Sequence, residues 1–120
     1  LHVGVGDKET YTITREKWAW VWGEVVTRNV QQWSSEDVKE DIVLMNDGAI
    51  SIVENSKIYK YKYKSDRKEE KKDSYGFVIE RETPEEIICE GGKTVDLYSM
   101  VGILWKAVQE LDKKVEEMKS

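Results

Sequence analysis

Residues of the types that most often do chemistry are scarce in this chain. Cys89 and His2 are its one cysteine and one histidine. A zinc site wants several thiolates or imidazoles together, and a lone cysteine closes no internal disulfide. No metal or cofactor is therefore implied. Gly91, Gly92, Lys93 and Thr94 look like the end of a phosphate-binding loop, in which glycine backbone and a lysine cradle phosphates. That signature wants a further glycine ahead of this pair, at the position held by Ile87, so a plain turn is the expectation.

Tyr59, Tyr61 and Tyr63 alternate with Lys60, Lys62 and Lys64. The period of two describes a strand with one aromatic face and one wet cationic face. Interleaved aromatics and lysines also suit the stacking of single-stranded nucleic acid. The net charge of −5 and pI near 5.0 favour a core-facing tyrosine row instead, because phosphate contacts need concentrated cations. The run KSDRKEEKKD over residues 64–73 mixes both signs and reads as a solvated ribbon tip.

These groups must be positioned by a small scaffold. A chain of 120 residues and 14.0 kDa has room for one core. With 39% hydrophobic and 36% charged residues and a mean hydropathy of −0.65, that core is modest and self-association is expected. The longest apolar runs fall far short of the roughly 20 residues of a membrane span, and no signal-peptide pattern opens the sequence, so membrane and secretion readings are not favoured.

Residues 1–33 form a first region, rich in aromatics and strand-like. Tyr11, Ile13, Trp18, Trp20 and Trp22 recur at period two, and four of the five tryptophans lie here. So short an aromatic segment either packs on the rest of the chain or meets copies of itself. Residues 34–120 form the second region. SSEDVKEDI is expected to open a helix at Ser34, since a serine followed by acids satisfies orphan N–H groups and the helix dipole. A second helical start follows Asn46, Asp47 and Gly48, with Ala49, Ile50, Ile52 and Val53 as its apolar stripe. Tyr75, Gly76, Phe77, Val78 and Ile79 are expected to return as the partner of the tyrosine strand. Ile87, Ile88 and Cys89 are expected to add a third short strand.

The strongest helix is expected over residues 100–118. Val101, Leu104, Val108, Leu111, Val115 and Met118 step by alternating threes and fours, the seam of a coiled coil. Six such side chains contribute roughly 1.5 to 3 kcal/mol each when fully buried. Self-association, or packing on the helix expected after Ser34, must therefore cover them. The fold class is α+β: a small antiparallel hairpin with helices and a C-terminal coiled-coil helix.

In their order and spacing these segments resemble a known family. SSEDVKEDI, the KYKYK strand, YGFVIERETPEEI, TVDLYSMVGILWKAVQEL and a terminal coiled coil look like the C-terminal intramolecular chaperone, auto-processing domain of phage tail spikes, tail fibres and neck appendages. The likeness runs from Ser34 to about Met118. The family's processing motif is roughly S-D-x-R-L-K-E-N-I, cut on the amino side of the serine. Lys39, Glu40 and Ile42 match it, Ser35 stands where the family has aspartate, and Asp37 where it has arginine. Gly76 and Phe77 match a later strand motif in which Glu80 replaces glutamine.

The resemblance implies an intertwined homotrimer that registers the upstream β-rich fibre of the same polypeptide and is then released by self-cleavage. The place would be the host cytoplasm during virion assembly, as part of the precursor of a tail or neck component. Neither nucleic acid nor membrane is a partner in that reading. Ser34 would be the nucleophile on the carbonyl of Trp33, Lys39 the base, and Ser35, Asp37 and Glu80 supporting residues. A lysine has a reference pKa near about 10.4, so an amine that takes a proton near neutrality must be desolvated, which assembly would supply. On a regular helix from Ser34, five residues turn through about 140°, so the pair would not face one another along it; a lysine from a neighbouring chain could complete the dyad, and cis and trans pairing both stay open. The non-catalytic alternative is a permanent trimeric tip that binds a host receptor through exposed tryptophans and tyrosines.

Overall fold

The computed structural model describes residues 25–64 and 71–119. The strand expected around Tyr11 to Trp22, and the middle of the charged run after Lys64, lie outside the described residues. The chain divides into two compact units, Leu1–Glu40 and Asp41–Ser120.

In the first unit the helix expected at Ser34 is replaced by a single 3-10 turn, Glu36–Val38. Ser35, not Ser34, caps it, accepting the Asp37 N–H at 3.2 Å. Lys39 leaves the turn with extended backbone, φ −126° and ψ 150°. The acidic start signal is local and real, but a helix this short gains little from propensity and needs a face to bury. Val38 in this unit and Ile42, Val43 and Leu44 at the start of the next all remain exposed. Asp41 has φ +54°, left-handed backbone that stops any continuation.

The second unit is a small α+β arrangement with a two-stranded antiparallel sheet and a C-terminal helix. Helix α1 spans Ala49–Glu54 and starts where the Asn-Asp-Gly signal predicts, with Gly48 at the cap and φ +135°. Strand β1, Tyr59–Tyr61, pairs with β2, Ser74–Gly76, in the register Tyr59 to Gly76, Lys60 to Tyr75 and Tyr61 to Ser74. Tyr59 and Tyr61 are half-buried and Lys60 is exposed, as the alternation requires. Tyr63 lies beyond the strand, exposed, with its ring edge-on to Tyr61 at 5.3 Å. Gly76 lets the Tyr61 ring lie on the sheet: a Cβ there would stand 3.1 Å from the Tyr61 hydroxyl.

Two strand expectations are corrected. Phe77, Val78 and Ile79 leave the sheet for a turn in which Arg81 N–H donates to the Val78 carbonyl at 2.7 Å. The Glu85–Ile87 segment is a 3-10 turn, and the third strand shrinks to one antiparallel bridge between Ile88 and Val95. The loop between them turns through Gly91 and Gly92, whose φ values of +99° and +74° disfavour any side chain, so the glycines of GGKT serve a turn.

Helix α2, Leu97–Met118, starts three residues before the apolar periodicity suggests. Asp96 caps it by accepting N–H bonds from Tyr98 and Ser99, and Ser99 Oγ donates to its other oxygen at 2.7 Å. The Ser99 hydroxyl, with these amides, holds the Asp96 carboxyl below its ordinary value against a smaller opposing desolvation. Helix α1 packs on α2, and the buried residue of each is an alanine, Ala49 and Ala107, small enough for close approach. With Ile87, these are the buried apolar residues among those described. Among the described residues the tertiary core is thin.

Candidate functional site

Ser34 and Lys39 come together within one chain. Lys39 Nζ donates to Ser34 Oγ at 2.7 Å, and both side chains are exposed. The expectation that they face apart assumed a regular helix from Ser34. Instead Ser34 precedes the 3-10 turn and Lys39 ends it in extended conformation, so the chain doubles back and the lysine stem reaches the serine. Ser35 serves the turn as its cap, and Asp37 lies within that turn. Glu80 belongs to the other unit, where Lys93 Nζ pairs with it at 3.1 Å. Its own backbone N–H and the Lys93 ammonium hold the Glu80 carboxyl below its usual value. The structure therefore brings the serine and the lysine into contact, while Ser35 and Glu80 have local partners of their own.

A hydroxyl next to an amine can open a peptide bond when the amine is neutral and accepts the hydroxyl proton. In the observed contact Lys39 Nζ donates to Ser34 Oγ with both side chains exposed to water, so the geometry brings the partners together without the desolvation that a base requires.

The trimer seam expected on α2 is uncovered in one copy. Val101, Leu104, Val108, Leu111, Val115 and Met118 are all exposed, from 42% at Val115 to 84% at Met118. Packing against α1 uses a different face of α2, around Ala107 and Glu110. Beside the seam Trp105 is 70% exposed. On the other flank an apolar cavity of about 340 Å³ is lined by Ile52, Val53, Ile58, Phe77, Ile87, Met100, Ile103 and Leu104, among others.

Two groups that position these elements were not found by reading the sequence. Glu110 carries its carboxylate to the start of α1, accepting the Ala49 N–H at 2.9 Å and those of Gly48 and Ile50 at 3.2 and 3.4 Å. Desolvation pushes its pKa up, but the combined donors from Ala49, Gly48 and Ile50 outweigh it, and the carboxyl sits below its ordinary value. No local signal announces this, because the partners are some 60 residues apart. Asp96 had a readable signal: an aspartate three residues before a serine at the head of an apolar run.

No helix among the described residues is long and apolar enough to cross a membrane. No family model, curated protein or solved structure matches the chain. The likeness to the phage chaperone domains thus rests on the residues and spacings named above.

Proposed function

We propose that this chain is a C-terminal intramolecular chaperone that trimerises a preceding phage tail spike, fibre or neck appendage and is released by cutting its own chain between Trp33 and Ser34. The open seam of α2 is the observation that carries the reading: six apolar residues at coiled-coil spacing, all exposed while the neighbouring face around Ala107 is packed against α1. Helical contacts form locally and fast, whereas an intertwined β-rich stalk must close contacts among three chains. A trimer formed at the C-terminus raises the effective concentration of the stalk segments and sets their register.

Assembly then activates the cut. Enclosing the exposed Ser34 and Lys39 between chains removes the water that favours the ammonium, and Lys39 Nζ becomes able to take the Ser34 Oγ proton. Oγ attacks the Trp33 carbonyl carbon, the bond from that carbon to the Ser34 nitrogen breaks, and the proton held by Lys39 passes to the departing nitrogen. Water hydrolyses the resulting ester, leaving a Trp33 carboxylate, a free Ser34 hydroxyl and a new amino terminus at Ser34. One water is consumed, and no cofactor takes part. Cutting the link makes assembly hard to reverse, because the fibre loses the element that could re-register it.

The second reading, a permanent trimeric tip, draws on the exposed Trp33 and Tyr75. Mass spectrometry of the chain purified after assembly separates the two. A fragment that begins at Ser34, lost in Ser34→Ala and reduced at least about 100-fold in rate in Lys39→Ala, supports the chaperone. A trimer whose chains all stay intact supports the tip.

A further inference from the structure

We infer that Trp105 of one copy docks into the apolar cavity beside Met100 of the next copy, so that the tryptophan locks the register of the three chains along the seam. The inference rests on the trimer proposed above and names the contact that would fix it. Trp105 is 70% exposed and flanks the seam on one side, next to Val101 and Val108. The cavity opens on the other flank, where Met100, Ile103 and Leu104 line it together with Ile52 and Phe77. Its volume of about 340 Å³ lies within the range of pockets that accept small organic ligands, about 300–1,000 Å³, and an indole is smaller than most of these.

A tryptophan cannot fill this cavity in its own chain. At 100° per residue Trp105 stands about 140° around the helix from Met100 and about 160° from Ile103. A second copy places it correctly. In a parallel coiled coil the residue flanking one side of the seam meets the neighbour's residue about five positions earlier on the opposite flank. For Trp105 that residue is Met100, at the cavity. The other flank pairs of the same register are Ala107 with Asp112 and Lys114 with Lys119. Ala107 is already buried within its own chain, and Lys119 is paired with Glu116 of its own helix at 3.4 Å. Charge therefore does not select this register, and the apolar knob and cavity do. Thioether and aromatic make a favourable pair, and α1, which supplies Ile52, would thereby form part of the trimer contact.

The test replaces Trp105 by p-benzoylphenylalanine in the full chain, mixes it with nitrogen-15-labelled chain, irradiates, and maps cross-links by mass spectrometry. Expected are cross-links from position 105 to labelled peptides carrying Ile52 or Phe77. Cross-links confined to α2 peptides, in a preparation that sediments as a trimer, overturn the docking and leave the trimer standing. A preparation that sediments as a monomer overturns both. Independently of the photoprobe, Trp105→Ala should weaken trimerisation about 30-fold or more and Trp105→Phe much less, as for a buried aromatic anchor. Equal trimer affinity in Trp105→Ala and the parent chain also overturns it.

Discussion

Two faces of α2 are treated differently by the chain. Around Ala107 and Glu110 the helix is engaged: α1 lies on it, Ala49 and Ala107 are buried, and the Glu110 carboxylate holds the first amides of α1. Along Val101, Leu104, Val108, Leu111, Val115 and Met118 it is open. The difference teaches that α1 covers α2 on one side only and leaves the heptad side exposed, the side that the proposed trimer would bury. A six-residue α1 is too short to cover both, and one turn and a half of helix would scarcely hold without a tertiary anchor.

The largest effect should come from the open face. Val108→Asp puts a carboxylate in the middle of the seam, and in a trimer it removes three apolar contacts and buries three charges. Trimer affinity should fall by about 4 kcal/mol or more, about a thousandfold. The covered face should be untouched, so helix content at fixed low concentration stays near the parent value. Sedimentation equilibrium and circular dichroism read the two arms. If assembly survives the substitution, the seam is not the interface.

A smaller effect should come from the covered face. Glu110 has a carboxyl pKa below its unfolded value, so its contribution to stability is full above the unfolded pKa of about 4.3 and is lost as pH falls through the folded value. Glu110→Gln should lower the unfolding midpoint at pH 7 by loosening α1. The gap between variant and parent should close as pH drops below about 4.3, because the parent then carries a neutral side chain as well. Urea unfolding from pH 7 to pH 3 measures it. A gap independent of pH would mean that Glu110 acts by shape and not by charge.

The same contrast explains what could be read in the sequence. The helical spacing of α2, the tyrosine and lysine alternation of β1, the start of α1 after Gly48 and the turn at Gly91 and Gly92 are local signals, and each appears where its residues stand. The region after Ser34 is different. Its acidic cap signal is present and Val38, Ile42 and Met45 have helical spacing, yet only Glu36–Val38 forms a turn, because periodicity describes a face and not the surface that would bury it. The Lys39 to Ser34 contact was hidden for the same reason: helical arithmetic separates the two, and the turn that joins them follows from the helix not forming. Glu110 was out of reach because its bonds span the chain, and the run from Phe77 to Ile79 looks like strand although Phe77 lines the cavity and the Val78 carbonyl closes a turn.

Ser34 and Lys39 are in contact at 2.7 Å and exposed, and under the proposed function enclosure on assembly would make the pair reactive. The most direct test is sedimentation equilibrium of the intact Ser34→Ala chain, which cannot cut itself, at micromolar concentration. The account predicts a single species at three times the chain mass, whereas a solution of single chains across that range would contradict it.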